Sequence, residues 1–438
     1  MHTFPPMSES LPRSIGAATA TSLVVASMIG AGVFTTTGLL LRDLPSPLAV
    51  LSVWALGGLL SLCCALSYAE LSAALPDNGG EYKLLSRIFH PAVGFVAGWV
   101  SFIVGFSAPI AAVAVAFGRY ASWAVPGIPP DFGALGAILV LSVVHAGRVS
   151  FGSMVHTAVT IAEVLVVGAF IAAALWTGSP GRLLDGGPAA FSRSVSSPSF
   201  AVGLVYVSFA YSGWNAAAYV AGEVTRPERN LQRALVLGTS AVALLYLAMN
   251  TAFLMAAPRN ELAGVVEVGH VAAVRLFGDG AGRALSALIA LCLLASMGAQ
   301  LMTGARVYES IGRDYAVLRL LAWRDKEGVP VAGVALQAIV ASVMAITASF
   351  DALLTYVGFT LSISSLVTVA GLFVLRRREP ALARPYRTGG YPLTPLIAML
   401  ALGWMGLEAI VERPATCIAG LATLATGALL YVLVRRTS

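Results

Sequence analysis

Charge is scarce in this chain. Asp, Glu, Lys and Arg make up 11% of its 438 residues, against 58% for hydrophobic residues, whereas a soluble domain carries about 25% charged residues. A soluble protein this apolar lacks the polar groups to cover its surface. Cysteine is scarce as well. Cys63, Cys64, Cys292 and Cys417 all lie inside apolar stretches and none has metal-ligand spacing. A disulfide framework and a zinc site are therefore unexpected, and the four read as small core residues. His90, His145 and His156 do not cluster, so no metal site is expected. The phosphate-cradling pattern Gly-x-x-x-x-Gly-Lys-Ser/Thr, a nucleophile elbow and metal-ligand motifs are all missing. Acidic residues scattered without a partner His or Cys make no catalytic site, so an enzyme and an ATP-driven pump within this chain are both disfavoured.

The apolar residues come in blocks. Stretches free of Asp, Glu, Lys and Arg run from Ser14 to Leu41, Leu44 to Ala69, Pro91 to Gly118 and Ser194 to Gly222. Each exceeds the roughly 20 residues that cross a hydrocarbon core. In lipid the backbone must satisfy its own hydrogen bonds, which leaves helices or closed barrels, and the short alternating strands of a barrel are missing. The expectation is an all-α membrane protein of about twelve transmembrane helices. They fall near 15–41, 46–75, 91–119, 133–147, 155–177, 199–222, 232–257, 281–308, 330–349, 352–375, 393–412 and 414–434. The first block is too long for a cleaved signal core and reads as a permanent span. No separate soluble domain is expected, and the Pro/Gly/Ser-rich segment 178–198 reads as an exposed external loop.

An even number of spans puts both termini on one side. Of the 27 Lys and Arg residues, 19 then fall on the side of the termini, which makes that side cytoplasmic. The net charge of +6 is thus spread over short loops and orients the protein, so a nucleic-acid partner is not expected. The lipid bilayer of the cell (inner) membrane is.

Two spans carry interruptions in their middles: Gly30-Ala31-Gly32 in the first, and Ser212-Gly213 in the sixth, between Tyr211 and Trp214. Glycine costs a helix about 1 kcal/mol relative to alanine. Close packing of small residues explains one such pair by itself. Matching interruptions at the start of two five-helix sets instead point to an inverted-repeat transporter with its site at the bilayer midplane. An unwound segment exposes N–H groups at the start of the outer half-helix, where the dipole attracts a carboxylate. It also exposes carbonyls at the end of the preceding half, which accept from an ammonium. An α-amino acid presents both charges at one carbon.

Several further segments carry a family resemblance. Gly30-Ala31-Gly32-Val33-Phe34 is similar to a Gly-Ser-Gly-Ile-Phe segment. Tyr68-Ala69-Glu70-Leu71 and Pro76 through Tyr82 follow the second span, and Phe209 through Asn215 with Glu223 through Asn230 mark the sixth. Arg306 to Asp314 ends the eighth, and Arg376 to Pro380, Arg384-Pro385-Tyr386 and Tyr391-Pro392-Leu393 follow the tenth. In this order the chain resembles the amino acid–polyamine–organocation superfamily of permeases, most closely its L-type amino acid transporter and bacterial exchanger branches. The resemblance covers nearly all of residues 15–395. It implies a LeuT-type 5+5 inverted repeat, 15–177 against 199–376, with two additional helices at 393–434, and alternating access.

Roles carry over by matched position. The resemblance implies that the substrate carboxylate meets the N–H groups of Ala31 and Gly32, extending to Val33, with Gly30 beside them in the binding segment. The ammonium meets carbonyls of Met28, Phe209 and Ser212, next to Gly213. Phe209 is the aromatic lid, and Asn215 adds a side-chain hydrogen bond. Ala31 stands where serine is usual, and Tyr315 where glycine is usual. Glu163 stands in the fifth span where many relatives carry lysine. An ionisable group inside a span is functional by default. Two readings stay open for it: a coupling group that takes up a proton or holds Na⁺, and a satisfied carboxylic acid. No other cofactor is implied. Glu70, Glu81 and Glu223 face the cytoplasmic end and read either as an inner gate with Arg226, Arg229 and Arg306 or as ordinary interfacial pairs. Lys83 and Arg87 followed by Ile88-Phe89 read as an amphipathic surface stretch.

The function expected is secondary transport of neutral L-amino acids, by proton coupling or exchange. The positions near the expected pocket are uncharged: Gly105, Phe106, Ser107, Ala295, Ser296, Met297 and Ser362. A polyamine or cationic amino acid antiporter, with Glu163 as counter-ion, is the alternative. A nutrient receptor or a channel is the reading outside transport. With no cysteine in an external loop, no covalent ancillary subunit is expected.

Overall fold

The computed structural model describes residues 13–146, 153–324 and 330–437. Regular structure among them is helical, and one isolated parallel bridge, Ile15 to Val224, is the only β pairing among the described residues. The chain begins with α1 (Ala17–Met28), α2 (Ala31–Asp43), α3 (Pro47–Ala74) and the short α4 (Gly80–Ile88). Then α5 (Pro91–Val100) runs through a π-helical stretch, Ser101–Ser107, into α6 (Ala108–Ala124). Next come α7 (Pro130–Ala146), α8 (Ser153–Thr177), α9 (Gly187–Val195), α10 (Pro198–Ala210) and the single turn α11 (Ala216–Tyr219). The second half holds α12 (Pro227–Ala256), the short α13 (Arg259–Leu262) and α14 (Val268–Phe277), then α15 (Asp279–Asp314) and α16 (Val331–Thr347). It closes with α17 (Phe350–Arg378), α18 (Leu393–Glu412) and α19 (Pro414–Thr437).

Local chemistry sets many of these boundaries. Pro47, Pro91, Pro130, Pro198, Pro227 and Pro414 each open a helix, where the missing N–H has no partner to lose and the ring already holds a helical φ. Side chains of Ser46, His90 and Ser349 accept from the N–H groups of Ala49, Ala92 and Ala352, satisfying donors a helix start leaves open.

Helix occupies each of the expected apolar segments, with breaks in the first and the sixth. Seven helical stretches are long and apolar enough to cross a bilayer, and α1 with α2, bent by 41°, makes an eighth. The helices α7 and α16 are apolar but only 17 residues long, about 25 Å at 1.5 Å per residue. The external loop expected at 178–198 holds a 3₁₀ turn at Pro180–Leu184 and the helix α9.

Contacts sort the connecting segments into two ends. At one, the N–H groups of Ser14 and Ile15 donate to the Glu223 carbonyl, Arg87 pairs with Glu379 and Arg378 donates to the Ile88 carbonyl. At the other, Arg42 and Arg413 share Asp43 and Asp351. There Arg182 donates to the carbonyls of Met255 and Ala256 that finish α12. Both ends of the described chain lie at the first of these, called here the terminal end.

The core is built on close approach. A Cβ at Gly32 would sit 2.4 Å from the Ala210 Cα, and one at Gly213 2.4 Å from the Ser27 carbonyl oxygen. The two breaks therefore cross each other directly, as small residues allow between membrane helices. Trp54 of α3 meets Tyr211 and Tyr246 edge-on, at 5.9 and 5.5 Å between ring centroids, and closes the space beside the crossing.

Candidate functional site

The first break is extended backbone. α1 ends at Met28, Ile29 has φ −71° and ψ 115°, and Gly30 has φ −163° and ψ −157°. Any residue adopts these angles, and a Cβ on Gly30 would meet only the Ser296 hydroxyl, at 3.5 Å. Glycine is required instead at Gly32, by contact with α10. The N–H groups of Ala31, Gly32 and Val33 form the first turn of α2, where no intrahelical acceptor exists.

The second break runs from Tyr211 to Asn215. Gly213 has φ +98°, the left-handed region that disfavours a side chain. Beyond it the chain makes only one α-turn, α11, and one 3₁₀ turn, Ala221–Glu223. This second half of the sixth span is held by the loop before α4. Asn78 accepts from the Gly222 N–H and donates to Glu223, and the Gly79 N–H donates to the Tyr219 carbonyl. The Asn-Gly-Gly run thus works as a clamp on the broken span.

A cavity of about 1230 Å³ starts at the two breaks and continues to the terminal end, where Arg313 and Arg324 line it. That exceeds the 300–1,000 Å³ of a small-ligand pocket and leaves room for a water-filled mouth. Of the residues expected at the substrate, Gly30, Ser212, Gly213 and Asn215 line it. Met28, Ala31, Gly32 and Phe209 are buried and do not line it. Val33 borders a separate small apolar pocket with Phe34 and Tyr246. Gly105, Phe106, Ala295, Ser296 and Ser362 line the cavity near the breaks. Ser107 and Met297 do not, and Ser107 instead meets the Tyr308 hydroxyl at 2.9 Å.

One position at the breaks escaped the sequence reading, and a second has other partners than those expected. The first is Tyr246 of α12. Its hydroxyl donates to the Met28 carbonyl at 2.6 Å and to the Ala210 carbonyl at 3.2 Å. One side chain therefore joins the ends of both half-helices. Four residues on, Asn250 donates to the Tyr246 carbonyl and accepts from Thr37 of α2. The sequence signal is a Tyr-x-x-x-Asn pair on one face of an apolar helix.

The second is Glu81. It does not take part in an arginine gate. Tyr68 donates to it at 2.6 Å and Asn215 at 3.2 Å, and the Ser364 hydroxyl donates to its other oxygen. Burial pushes its carboxyl above the ordinary carboxylate range, against the opposing pull of those three donors. Its companions follow the other reading, ordinary pairing, and among the described residues neither meets Arg226 or Arg229. Glu70 takes Arg376 and the Thr388 N–H, and Glu223 takes Asn78. Sequence reasoning offered these acids Arg226, Arg229 and Arg306 from the sixth to eighth spans, whereas the end of the tenth span supplies the partner of Glu70. The signal for Glu81 was its register. With Leu84, Leu85 and Ile88 it forms the buried i, i+3, i+4, i+7 face of α4, the period of a core-facing stripe. Lys83 and Arg87 lie off that face, and Arg87 pairs with Glu379 at the surface.

At the mouth, Arg313 and Arg324 both hold the buried Glu309, which pushes the exposed Arg324 guanidinium further up in pKa. Glu163 belongs to α8, but its side chain, like that of Arg306, lies outside the described residues. No group of three or more His, Cys, Asp or Glu side chains able to hold a metal exists among the described residues.

Comparison with known proteins places these features. Residues 15–427 match the family model described as amino acid permease. The mouse "Large neutral amino acids transporter small subunit 2" is 28% identical over 97% of this chain and 81% of its own length. The serine/threonine exchanger SteT of Bacillus subtilis is 28% identical over 91% of each chain. The mouse "b(0,+)-type amino acid transporter 1" is 27% identical over 93% of this chain and 84% of its own.

Proposed function

The chain belongs to the amino acid permease family, and from that premise we propose that it carries neutral L-amino acids by alternating access. It is a multi-pass membrane transporter of amino acids and not an enzyme. The observation that carries the finer reading is the crossing of the two breaks on a cavity whose nearby wall, Gly105, Phe106, Ala295, Ser296 and Ser362, is uncharged. Donors of the α2 start suit the carboxylate, and carbonyls of the Met28 and Phe209 turns suit the ammonium. An uncharged wall suits an uncharged side chain. A cationic substrate would want a carboxylate of its own, and Glu81 is already taken by three donors.

The matching breaks support two inverted repeats, 15–177 and 199–376, followed by 393–434. The basic residues at the terminal end support cytoplasmic termini in the cell membrane. The cavity then faces the cytoplasm. For coupling we assign Glu163 the proton, while the likeness to a serine/threonine exchanger favours exchange as the second mode. Our expectation of no covalent ancillary subunit stands against relatives whose names mark them as small subunits, and it leaves association open. The cysteine pattern bears only on a covalent tie, and association through apolar surfaces leaves no such mark.

The test is uptake of labelled alanine, leucine, arginine and putrescine into proteoliposomes, with and without an inward proton gradient and internal amino acid. Alanine or leucine uptake raised by the proton gradient supports proton symport, and loss of that rise in Glu163→Gln assigns the proton to Glu163. Uptake only against internal amino acid makes the protein an exchanger. Uptake of arginine or putrescine alone overturns the neutral substrate.

A further inference from the structure

Glu81 has features that the binding of an amino acid does not use. Its residue is 4% exposed, yet it lines the cavity. The donors that hold it come from three different parts of the fold: Tyr68 of α3, Asn215 at the second break and Ser364 of α17. All three are neutral, and among the described residues no cation pairs with it. A buried carboxylate without a cation is costly unless it gains a proton.

We propose that Glu81 is a proton-binding site linked to closure of the cavity: it is ionised while water fills the terminal end and takes up a proton as that end closes. The inference rests on alternating access and is otherwise independent of substrate identity. Oε1 already accepts from Tyr68 and Asn215, so the proton adds to Oε2. It comes from a hydronium ion of the cavity water, which leaves as water. The Ser364 hydroxyl turns from donor to acceptor, and no other bond changes. Closure takes water from the carboxyl, and by reciprocity a proton on the carboxyl favours closure. Asn215 ties this event to the broken span.

Other titrating and charged groups around Glu81 are committed or distant. On α3 these are Tyr68, Cys64 and Glu70, the last held by Arg376. From the sixth span come Tyr219, bonded to Ser101 of the π-helical stretch, and Glu223, bonded to Asn78. On α17 the charges are Asp351, 13 residues before Ser364, and Arg376, Arg377 and Arg378, 12 to 14 residues past it, all about 20 Å away along the axis. His90 begins α5 beyond the far end of α4. On α4 itself Lys83 lies 5.0 Å from the Tyr82 ring centroid, and Arg87 pairs with Glu379.

The test uses full-length protein with its four cysteines replaced and Thr303→Cys placed on the cavity wall. Maleimide labelling is read at about pH 8 and about pH 5.5, as a rate relative to the denatured protein at the same pH. Labelling should fall about fivefold or more at the lower pH. In Glu81→Gln the dependence should vanish, with slow labelling at both values. Ser364→Ala, which removes a donor to the ionised form, should move the midpoint to higher pH, and it carries the test if Glu81→Gln does not fold. A pH-independent rate in the parent, a full pH response in Glu81→Gln or an unmoved midpoint in Ser364→Ala overturns the proposal. Labelling needs no substrate, so its outcome is separate from that of the uptake assay.

Discussion

Replacing Gly213 by alanine tests the crossing of the broken helices. Two penalties follow from the structure. At φ +98° a residue with a Cβ costs about 1–3 kcal/mol. The new Cβ would also stand 2.4 Å from the Ser27 carbonyl oxygen and 2.7 Å from its carbon. Real contacts essentially never fall below 3.0 Å, so the end of α1 must retreat by roughly 0.6 Å, an overpacking cost of about 1–3 kcal/mol. Even the lower sum, about 2 kcal/mol, corresponds to about thirtyfold. Initial uptake into proteoliposomes at matched protein should fall by about that factor or more. The control is Gly136→Ala in α7, where a Cβ meets nothing within 4 Å. Alanine there is favoured by about 1 kcal/mol, so native uptake is expected. Native uptake in Gly213→Ala, within about twofold, would refute the argument that this backbone and this contact hold the site.

Tyr246→Phe removes one hydroxyl and leaves the carbonyls of Met28 and Ala210 short of a donor, a cost of about 1–3 kcal/mol. The KM for substrate should rise about tenfold, and an unchanged KM counts against a positioning role. Glu70→Gln breaks the bidentate pair between the buried Glu70 and Arg376, which costs about 3–5 kcal/mol. Its melting temperature in detergent should drop, and an unaltered one refutes the assignment. Glu163→Gln should change the pH profile of transport, and a native profile at normal expression sinks the coupling role. Burial raises the folded-state Glu81 carboxyl above its unfolded value of about 4.3. Between those values the folded protein keeps a proton that the unfolded chain has lost, so this group's stabilisation declines as pH rises through that window. Glu81→Gln should therefore flatten the pH dependence of melting, and a slope equal to the parent's contradicts this.

Much of the architecture was legible before any coordinates. Long charge-free runs fall as helices because lipid admits only helices and closed barrels and the runs lack a barrel's alternation, and prolines at the block starts mark where several begin. Gly213 was legible as a break because glycine is costly in a helix unless something demands it. Gly30 does lie in the first break, but its backbone is ordinary extended chain, and the position that demands glycine is Gly32 in the first turn of α2. The clamp from Asn78 and Gly79 to the sixth span appeared only as a motif, since its partners lie about 140 residues further along.

The sequence by itself determined that this protein lies in a membrane, where its helices run and where two of them break, because each follows from local composition and backbone cost. Tertiary structure alone decided which acid meets which partner. Glu70 chose Arg376 over arginines nearer in the chain, Glu81 took three neutral donors in place of a cation, and Tyr246 reached two carbonyls at once. Hydrogen bonds and ion pairs act over about 3 Å, and packing of distant helices, not spacing along the chain, sets which groups come that close.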